Sequence, residues 1–420
     1  MLDIEFIRNN PDVIRANNAK RGVEVDVNRL LELDVKRREL ITLVEEKQAL
    51  QNQTSDLIAT ETDSDKRANL IDSMKSLKAE IQGIHEQLEP IKTEWLSLQR
   101  QMPNLADESV PEGESEVDNV VVKTWGEKPE FDFEIKDHVQ LMTALDMVDF
   151  ERGTKVHGFR GYFLKNDGAR LNWALWNFAR DFYSKHGFQE FLAPAIVREQ
   201  YFYATGHLPT EADDLYQTQD GDYLSGTAEV PMMAYYSDEI LDLETLPFKA
   251  LAFSPCYRRE AGSHSKDTKG LIRVHEFNKL EQLIICENSQ EASVALHEEI
   301  NSLFEAFIEQ LGLPYQRLNI CFGDLSKSKV KQFDVEAWVP SQRQYRELSS
   351  ASYFHDFQTR RFNIRYRTAD GEIKFAHSLN NTAIATPRIL VSLVENFQQT
   401  DGSIAIPEVL VPYFGKSHIS

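Results

Sequence analysis

Residues 251–281 read LAFSPCYRREAGSHSKDTKGLIRVHEFNKLE. An apolar run ends in the charged cluster Tyr257-Arg258-Arg259-Glu260, a polar, glycine-containing loop follows over 261–270, and a second alternating run carries Arg273, Phe277 and Glu281. Two extended runs joined by such a loop predict an antiparallel strand pair. Side chains alternate with period two along a strand, so Arg258 and Glu260 are expected on one face and Arg273, Phe277 and Glu281 on another. If those faces meet one cleft, it holds two guanidiniums, an aromatic plate and two carboxylates. That inventory suits a nucleotide: arginine for phosphate, phenylalanine for a base, a carboxylate for an exocyclic or ligand amine. The alternative is a solvated sheet face with unrelated charges.

The rest of the chain bounds the answer. Its 420 residues predict two or three domains, and 41% apolar residues are ample for a core. No run of 18 apolar residues marks a membrane span. The first residues, MLDIEFIRNNPD, lack the apolar stretch of a secretory signal, and Cys256, Cys286 and Cys321 are too few and scattered for a disulfide framework or zinc site. A cytoplasmic, reducing setting is expected. The net charge of −21 argues against a general nucleic-acid binder, so an RNA partner would be met by local basic patches.

Along the chain, a short capping segment covers residues 1–26, and a long helix without Gly or Pro is predicted over 27–59. Its seam runs through Leu30, Leu33, Arg37, Leu40, Val44, Lys47, Gln51, Thr54 and Ile58, becoming polar toward an acidic break, TETDSD, at 60–65. Beyond the break, Leu70, Met74, Leu77, Ile81, Ile84, Leu88, Ile91, Trp95, Leu98 and Met102 recur at spacings of four and three. This is a heptad seam held for more than four heptads. Pro90 is expected to bend it. Two such helices around a short turn predict an antiparallel coiled-coil hairpin roughly 50 Å long. A dimerisation or structural coiled coil is the plainer reading of that hairpin.

An acidic linker with Pro111, Gly113 and Gly126 is expected over 104–130, separating an N-terminal domain, 1–103, from a mixed domain, 131–420. In the latter, strands are predicted near 159–164, 188–197, 222–225, 248–258, 271–286, 315–321, 332–338 and 361–367. Helices are predicted over 136–147, 169–186, 229–240, 289–311 and 387–398. Strands with few intervening helices point to an antiparallel α+β domain rather than a doubly wound sheet. There is no P-loop or dinucleotide-type glycine loop, so a nucleotide would have to be held by arginines.

Three shorter patterns add to this. Thr386 suits an N-cap and Pro387 a first helical position, which puts Arg388 in the first turn of a helix. An arginine there opposes the helix dipole unless an anion lies at that end. In Tyr345-Arg346-Glu347-Leu348-Ser349-Ser350, a carboxylate and a hydroxyl three residues apart suit Mg²⁺ on a nucleotide. Thr227, in Gly226-Thr227-Ala228-Glu229, is placed either to cap a helix or to face a ligand.

In combination and order these stretches resemble the bacterial-type seryl-tRNA synthetases, a class II aminoacyl-tRNA synthetase family, over essentially the whole chain. The N-terminal hairpin resembles the family's tRNA-binding arm. Gly168-Ala169-Arg170 with Phe191-Leu192-Ala193-Pro194 resembles motif 1, the dimer element. The 255–281 stretch resembles motif 2, and Pro387-Arg388 with Val394-Glu395-Asn396-Phe397-Gln398 resembles motif 3. Thr227-Ala228-Glu229 matches the family's TxE element; Ala204-Thr205-Gly206-His207-Leu208-Pro209 and Asp356-Phe357-Gln358 are further family stretches. The resemblance implies a class II antiparallel-sheet catalytic domain. It also implies ATP-dependent ligation of L-serine to tRNA(Ser) through seryl-adenylate, with Mg²⁺ as cofactor, in a cytoplasmic homodimer. Charging of tRNA(Sec) is left open.

Roles follow from the resemblance residue by residue. Arg258 would hold the serine carboxylate and the α-phosphate, Glu260 the adenine amino group, and Phe277 the adenine face, with Arg273 nearby. Arg388 would bind the γ-phosphate, and Glu347 and Ser350 would hold Mg²⁺ and ATP. Glu281 and Thr382 would bind the serine hydroxyl, Thr227 with Glu229 the serine ammonium, and Asn380 would line the pocket. Arg258, Arg388 and Glu347 would be the catalytic set. On the arm, Arg29, Lys36, Arg37, Arg38 and Lys47 would meet tRNA. The chain departs from the family pattern at Ala351-Ser352-Tyr353-Phe354, at Asn381-Thr382-Ala383 and at Gly226. Three rivals are a synthetase-like enzyme that charges a carrier protein, a catalytically silent paralogue, and an enzyme for another amino acid. The long arm, the retained Arg258, Glu281 and Arg388, and the small polar pocket with Thr227 weigh against each in turn.

Overall fold

Heptad spacing in the N-terminal hundred residues becomes two long helices, Val27–Thr60 and Ser64–Gln101, joined by three residues in a computed structural model that describes residues 1–263 and 267–420. The side chains of both predicted seams are buried or half-buried along the hairpin, and Leu30, Leu33, Leu77 and Leu88 are among the most enclosed. The break is made by caps. The Asp63 carboxylate accepts the Asp65 and Lys66 N–H groups at the start of the second helix, and Asp26 accepts the Arg29 N–H at the start of the first. Pro90 lies inside an uninterrupted helix, on its exposed side, where the carbonyl left without a donor can face water. With two short helices, Ile4–Asn9 and Pro11–Lys20, the hairpin makes up one compact unit, Met1–Pro103; the other is Asn104–Ser420.

The second unit is built on an eight-stranded sheet. In chain order its strands are β1 (Val120–Trp125), β2 (Gln189–Leu192), β3 (Phe248–Tyr257), β4 (Glu276–Cys286), β5 (Tyr315–Asn319), β6 (Lys331–Val339), β7 (Gln344–His355) and β8 (His377–Thr386). They lie in the order β1-β5-β6-β7-β8-β4-β3-β2, antiparallel except for the edge pair β2 and β3. One face packs on helices Asn166–Ser184, Gln290–Gln310 and Arg388–Asn396 in a large apolar core that takes Leu251, Leu280, Ile284 and Leu379 from the strands. Opposite-parity residues, Ala250, Ala252, Leu283 and Ile285, enter a smaller core with Met232, Met233 and Phe362. Toward the Glu276 end of β4 that second face carries polar side chains instead, and the cleft opens there.

Several expectations give way to the structure. Residues 104–130, read as a linker, supply the edge strand β1, which pairs with β5. Strands β7 and β8, central in the sheet, were not expected: Ser349, Ser350, Ser352, Asn380, Asn381 and Thr382 break the apolar alternation that marks a strand. Over 361–367 a strand was expected, but helix Phe357–Phe362 comes first and leaves only Arg365–Arg367 extended. The helix expected over 229–240 ends at Ala234, and the expected strand over 271–286 begins at Glu276. Thr386 is not an N-cap; Pro387 holds that position without a side-chain cap, because Thr386 is still the last residue of β8. Of the predicted loop 261–270, residues 264–266 lie outside the described residues. No helix among the described residues is long and apolar enough to cross a membrane.

Candidate active site

Strand β4 sets the floor of the cleft. Phe277, Lys279 and Glu281 have the same parity as Leu283 and Ile285, so the face that is apolar at one end of the strand becomes aromatic and charged at the other. Glu281 and Lys279 are both buried, with Lys279 Nζ 2.6 Å from Glu281 Oε2. Burial pushes the Glu281 carboxyl above the usual carboxylate range and Lys279 draws it back; Glu229 adds to the rise. A bulge at Ala383 brings Thr382 of β8 directly opposite Glu281. The pairing proposed for the serine hydroxyl is thus a cross-strand pair, with Asn380 two residues along β8.

Thr227 and Glu229 close the same cleft from the start of helix Glu229–Ala234. Thr227 lines the cleft and its hydroxyl accepts the Glu229 N–H at 3.2 Å, but the N-cap of the helix is Ala228, one residue later than the capping expected of Thr227. The Glu229 carboxylate is fixed by Gln358, whose Nε2 donates to it at 2.6 Å; Gln358 Oε1 in turn accepts the Ser378 hydroxyl at 2.9 Å. The cleft has a volume of about 710 Å³.

Arg258 joins this cleft to a smaller one of about 70 Å³ lined by Glu260, Arg273, Phe277 and Arg388. Its guanidinium carbon lies 5.3 Å from the Phe277 ring centroid, and Nη2 donates to the Gly226 carbonyl at 3.3 Å. A Cβ on Gly226 would lie 3.2 Å from the Arg258 side chain, so a larger residue there would require that side chain to shift by a few tenths of an ångström. Neither Arg258 nor Arg273 lies in a strand, as alternation had suggested. Arg258 and Glu260 follow β3, Arg273 precedes β4, and Glu260 turns back at φ +55° to meet Arg273 at 2.6 Å. Burial raises the Glu260 carboxyl, but the hydrogen bond and charge of Arg273 outweigh it and hold the group below its ordinary value.

Arg388 lies in the first turn of its helix, as expected, but as its first residue rather than behind Pro387, and is held twice by backbone: Nε donates to the Ile272 carbonyl at 3.0 Å and Nη1 to the Glu347 carbonyl at 2.9 Å. Burial lowers its pKa, Glu347 opposes, and Arg258, Arg273 and Arg346 lower it further. Positive charge therefore accumulates at this end, as an anion site requires.

The opposite wall is acidic. A bulge at Leu348 lets Glu347 and Ser350, three residues apart, both face the cleft, across from Glu336 and Asp334 of β6. Burial, and then Glu347, push the Asp334 carboxyl up to about 7; burial likewise raises Glu336. No three His, Cys, Asp or Glu side chains among the described residues form a metal cluster by themselves.

Comparison with known proteins settles the family. The profile of the class II tRNA synthetase core domain (G, H, P, S and T) matches residues 214–397, and that of the seryl-tRNA synthetase N-terminal domain matches residues 1–106. A serine–tRNA ligase of Kosmotoga olearia is 43% identical over 99% of both chains, and one of Treponema denticola 40% identical over the full length of both. The chain belongs to the seryl-tRNA synthetase family. Among solved structures, the seryl-tRNA synthetase of Pyrococcus horikoshii complexed with ATP superposes with a TM-score of 0.90 at 34% identity, covering 100% of this chain and 99% of that one. The cytoplasmic serine–tRNA ligase of Naegleria fowleri in complex with AMP gives 0.87 at 31%, with the same coverage.

Three seryl-tRNA synthetase residues of the cleft escaped the sequence reading: Lys279, Asp334 and Glu336. Lys279 had a signal, since it falls midway between Phe277 and Glu281 at period two. The two acids had none, being ordinary alternation in a strand. Two of the departures from the family pattern involve buried side chains. Asn381 is buried, donating to the Ile300 carbonyl at 3.0 Å and accepting the Ser349 hydroxyl at 2.5 Å. Residues Ala351, Ser352, Tyr353 and Phe354 are all buried.

Of the five arm cations, four are engaged within the hairpin unit. Arg29 makes a forked pair with Glu94 at 2.7 and 2.8 Å, Arg37 and Arg38 share the buried Asp34 with Arg8, and Lys47 meets Glu80 at 2.5 Å. Arg37 also lies over Trp95, 4.3 Å from its centroid. Lys36 is exposed.

Proposed function

We infer that the chain activates L-serine with ATP and transfers it to tRNA(Ser). The observation that carries this is the position of Arg258 between two subsites. A small polar one is floored by Glu281 and Thr382; a basic, aromatic one holds Phe277, Arg273 and Arg388. A guanidinium there can bind the serine carboxylate and the α-phosphate together and so align one for attack on the other.

Thr227 and Glu229 would take the serine ammonium, and Glu281 and Thr382 its hydroxyl, with Asn380 closing the pocket. Glu260 would read the adenine amino group, Phe277 would stack on the ring, and Arg273 and Arg388 would face the phosphates. The serine carboxylate attacks the α-phosphorus in line. One P–O bond forms, the bond to the β-phosphate oxygen breaks, and seryl-adenylate and pyrophosphate result. The 3′-hydroxyl of the terminal adenosine then attacks the seryl carbonyl and AMP leaves. No protein nucleophile is needed; positioning and charge carry both steps.

Mg²⁺ fits the acidic wall. Hard oxygen donors from Glu347 and Ser350 match its preference, and one or two protein oxygens plus nucleotide phosphates is its usual mode of binding. Asp334 driven toward protonation by burial and by Glu347 indicates more negative charge than this wall accommodates alone. When bound, the ion would screen the phosphate charge. Glu347 and Ser350 would hold it.

A homodimer is proposed from the motif 1 region, where Trp173, Leu192 and Ile196 are 66, 87 and 59% exposed, an unusual set of apolar side chains for open surface. The arm would meet the tRNA through phosphate and shape, chiefly at Lys36, with Arg29, Arg37, Arg38 and Lys47 as further contacts. Charging of tRNA(Sec) and action in the cytoplasm belong to the same proposal. Serine-dependent exchange of labelled pyrophosphate into ATP tests the first step. Its absence, or equal exchange with another amino acid, would overturn the reading.

A further inference from the structure

Helix Arg388–Asn396 grips one dipeptide at two points. At its start, Arg388 Nε donates to the Ile272 carbonyl at 3.0 Å. Seven residues on, about 10.5 Å along the axis, the fully buried Glu395 reaches the adjoining residue through a histidine. Glu395 Oε1 accepts both the backbone N–H of His138 at 2.8 Å and its ring Nδ1–H at 2.9 Å, and Oε2 accepts the Ser341 N–H at 3.0 Å. The other ring nitrogen, Nε2, accepts the Leu271 backbone N–H at 3.2 Å. A backbone N–H can only donate, so Nε2 carries the lone pair and the proton sits on Nδ1, facing the carboxylate.

Leu271 and Ile272 are buried and lead directly into Arg273, which with its partner Glu260 lines the nucleotide subsite. They form the return of the loop after β3, outside any strand or helix. Just before them, Gly270 has φ +84°, and any side chain there would run into His138 Nε2. The loop is therefore fitted to the imidazole on one side and to Arg388 on the other.

We propose that His138, oriented by Glu395, is a positioning residue for ATP: it pins Leu271 so that Arg273 and Arg388 keep a fixed separation across the nucleotide subsite. The proposal rests on the functional reading above for which nucleotide is bound, but not for the pin itself. Losing one hydrogen bond of this kind, about 1 kcal/mol, corresponds to a change of roughly 5- to 10-fold.

The test uses the full-length protein. His138→Phe keeps the ring volume without either nitrogen; His138→Gln returns an acceptor near the Nε2 position. Hydrogen exchange at the Leu271 amide, the dissociation constant for ATP and the KM for serine are measured for each. In His138→Phe, Leu271 exchanges faster and ATP binds 5- to 10-fold more weakly, while the serine KM stays within about twofold; His138→Gln recovers most of both losses. If His138→Phe does not fold, Gly270→Ala, which drives a methyl group at Nε2 from the loop side, carries the same expectation. Unchanged Leu271 exchange would overturn the pin. Faster exchange with unaltered ATP binding, or an equal loss on the serine side, would overturn its role in positioning. ATP binding and Leu271 exchange do not require serine activation, so a failure of the serine reading leaves this test intact.

Discussion

Lys279 Nζ lies 2.6 Å from Glu281 Oε2, two residues apart on one face of β4, and both side chains are buried beneath the proposed serine pocket. Glu281 accepts a hydrogen bond from the serine hydroxyl most strongly as a carboxylate. Burial works against that form and Lys279 favours it. The pair is thus a means of keeping an acceptor ionised in a dry site.

The sign of the pH dependence follows. The folded value of Glu281 lies above its ordinary one, so the fold favours the protonated form, and the stability contributed by this group falls as pH rises from the ordinary value through the raised one. Serine recognition runs the other way, improving as the carboxylate forms. In Lys279→Met the acidic limb of kcat/KM for serine is expected to move to higher pH, with the loss larger at pH 6 than at pH 8. An unmoved limb would mean that Lys279 does not act on Glu281.

Arg258→Ala and Arg388→Ala are each expected to slow adenylate formation by at least about 100-fold, the scale of one transition-state charge contact. The two should differ in stability. Arg258 is exposed and makes one backbone hydrogen bond, whereas Arg388 bridges the Ile272 and Glu347 carbonyls. Arg388→Ala should therefore melt earlier, and Arg388→Lys, which keeps the charge without the fork, should recover little activity. Near-normal exchange in folded Arg258→Ala would remove that residue from the chemistry.

How far the sequence carried this site depends on where each residue sits. Arg258, Glu260, Arg273, Phe277 and Arg388 flank strong local signals, an apolar run ending in charge or a Thr-Pro-Arg before a helix, and the structure brings them to one subsite. The strands holding Glu347, Ser350, Asn380 and Thr382 gave no strand signal, because a strand that floors a polar cleft exchanges its apolar alternation for serines and asparagines. Glu347 and Ser350 were reached by their own spacing, as oxygen ligands for a metal, whereas Asn380 and Thr382 were reached only through family resemblance. Bulges at Leu348 and Ala383 lay further out of reach, since register depends on the partner strand. In the hairpin, heptad spacing predicted which side chains are enclosed, but not that Asp34 would gather Arg8, Arg37 and Arg38.

Selectivity among small amino acids should be uneven. Alanine lacks the hydroxyl and would leave Glu281 and Thr382 without their ligand partner in a buried pocket, a costly omission. Threonine keeps the hydroxyl and is opposed only by the room for one methyl group, typically a weaker filter of about 1–3 kcal/mol. Threonine is therefore expected to be activated better than alanine in pyrophosphate exchange. Equal activation of alanine and serine would sink the role assigned to Glu281 and Thr382.

The hairpin poses a separate question, because most of its candidate tRNA contacts already have partners. Arg29 is paired with Glu94, Lys47 with Glu80, and Arg37 and Arg38 with Asp34, so a phosphate would have to replace a carboxylate at each, whereas Lys36 stands exposed. Exposed ion pairs are worth little, about 0–1 kcal/mol, so exchange at Arg29 is feasible; Asp34, fully buried, would be left uncompensated if its arginines withdrew. Lys36→Ala is therefore expected to weaken charging more than Arg37→Ala once stability is matched. Replacing residues 30–98 by a short flexible linker should leave serine-dependent pyrophosphate exchange largely intact, because every residue assigned to adenylation lies in the unit Asn104–Ser420. Charging of tRNA should fall by orders of magnitude, since the phosphate and shape contacts assigned to the arm are lost while the adenylate still forms. A truncated protein that charged tRNA as well as the intact one would make the hairpin a structural appendage, and one that lost exchange as well would show that the hairpin supports the catalytic unit directly.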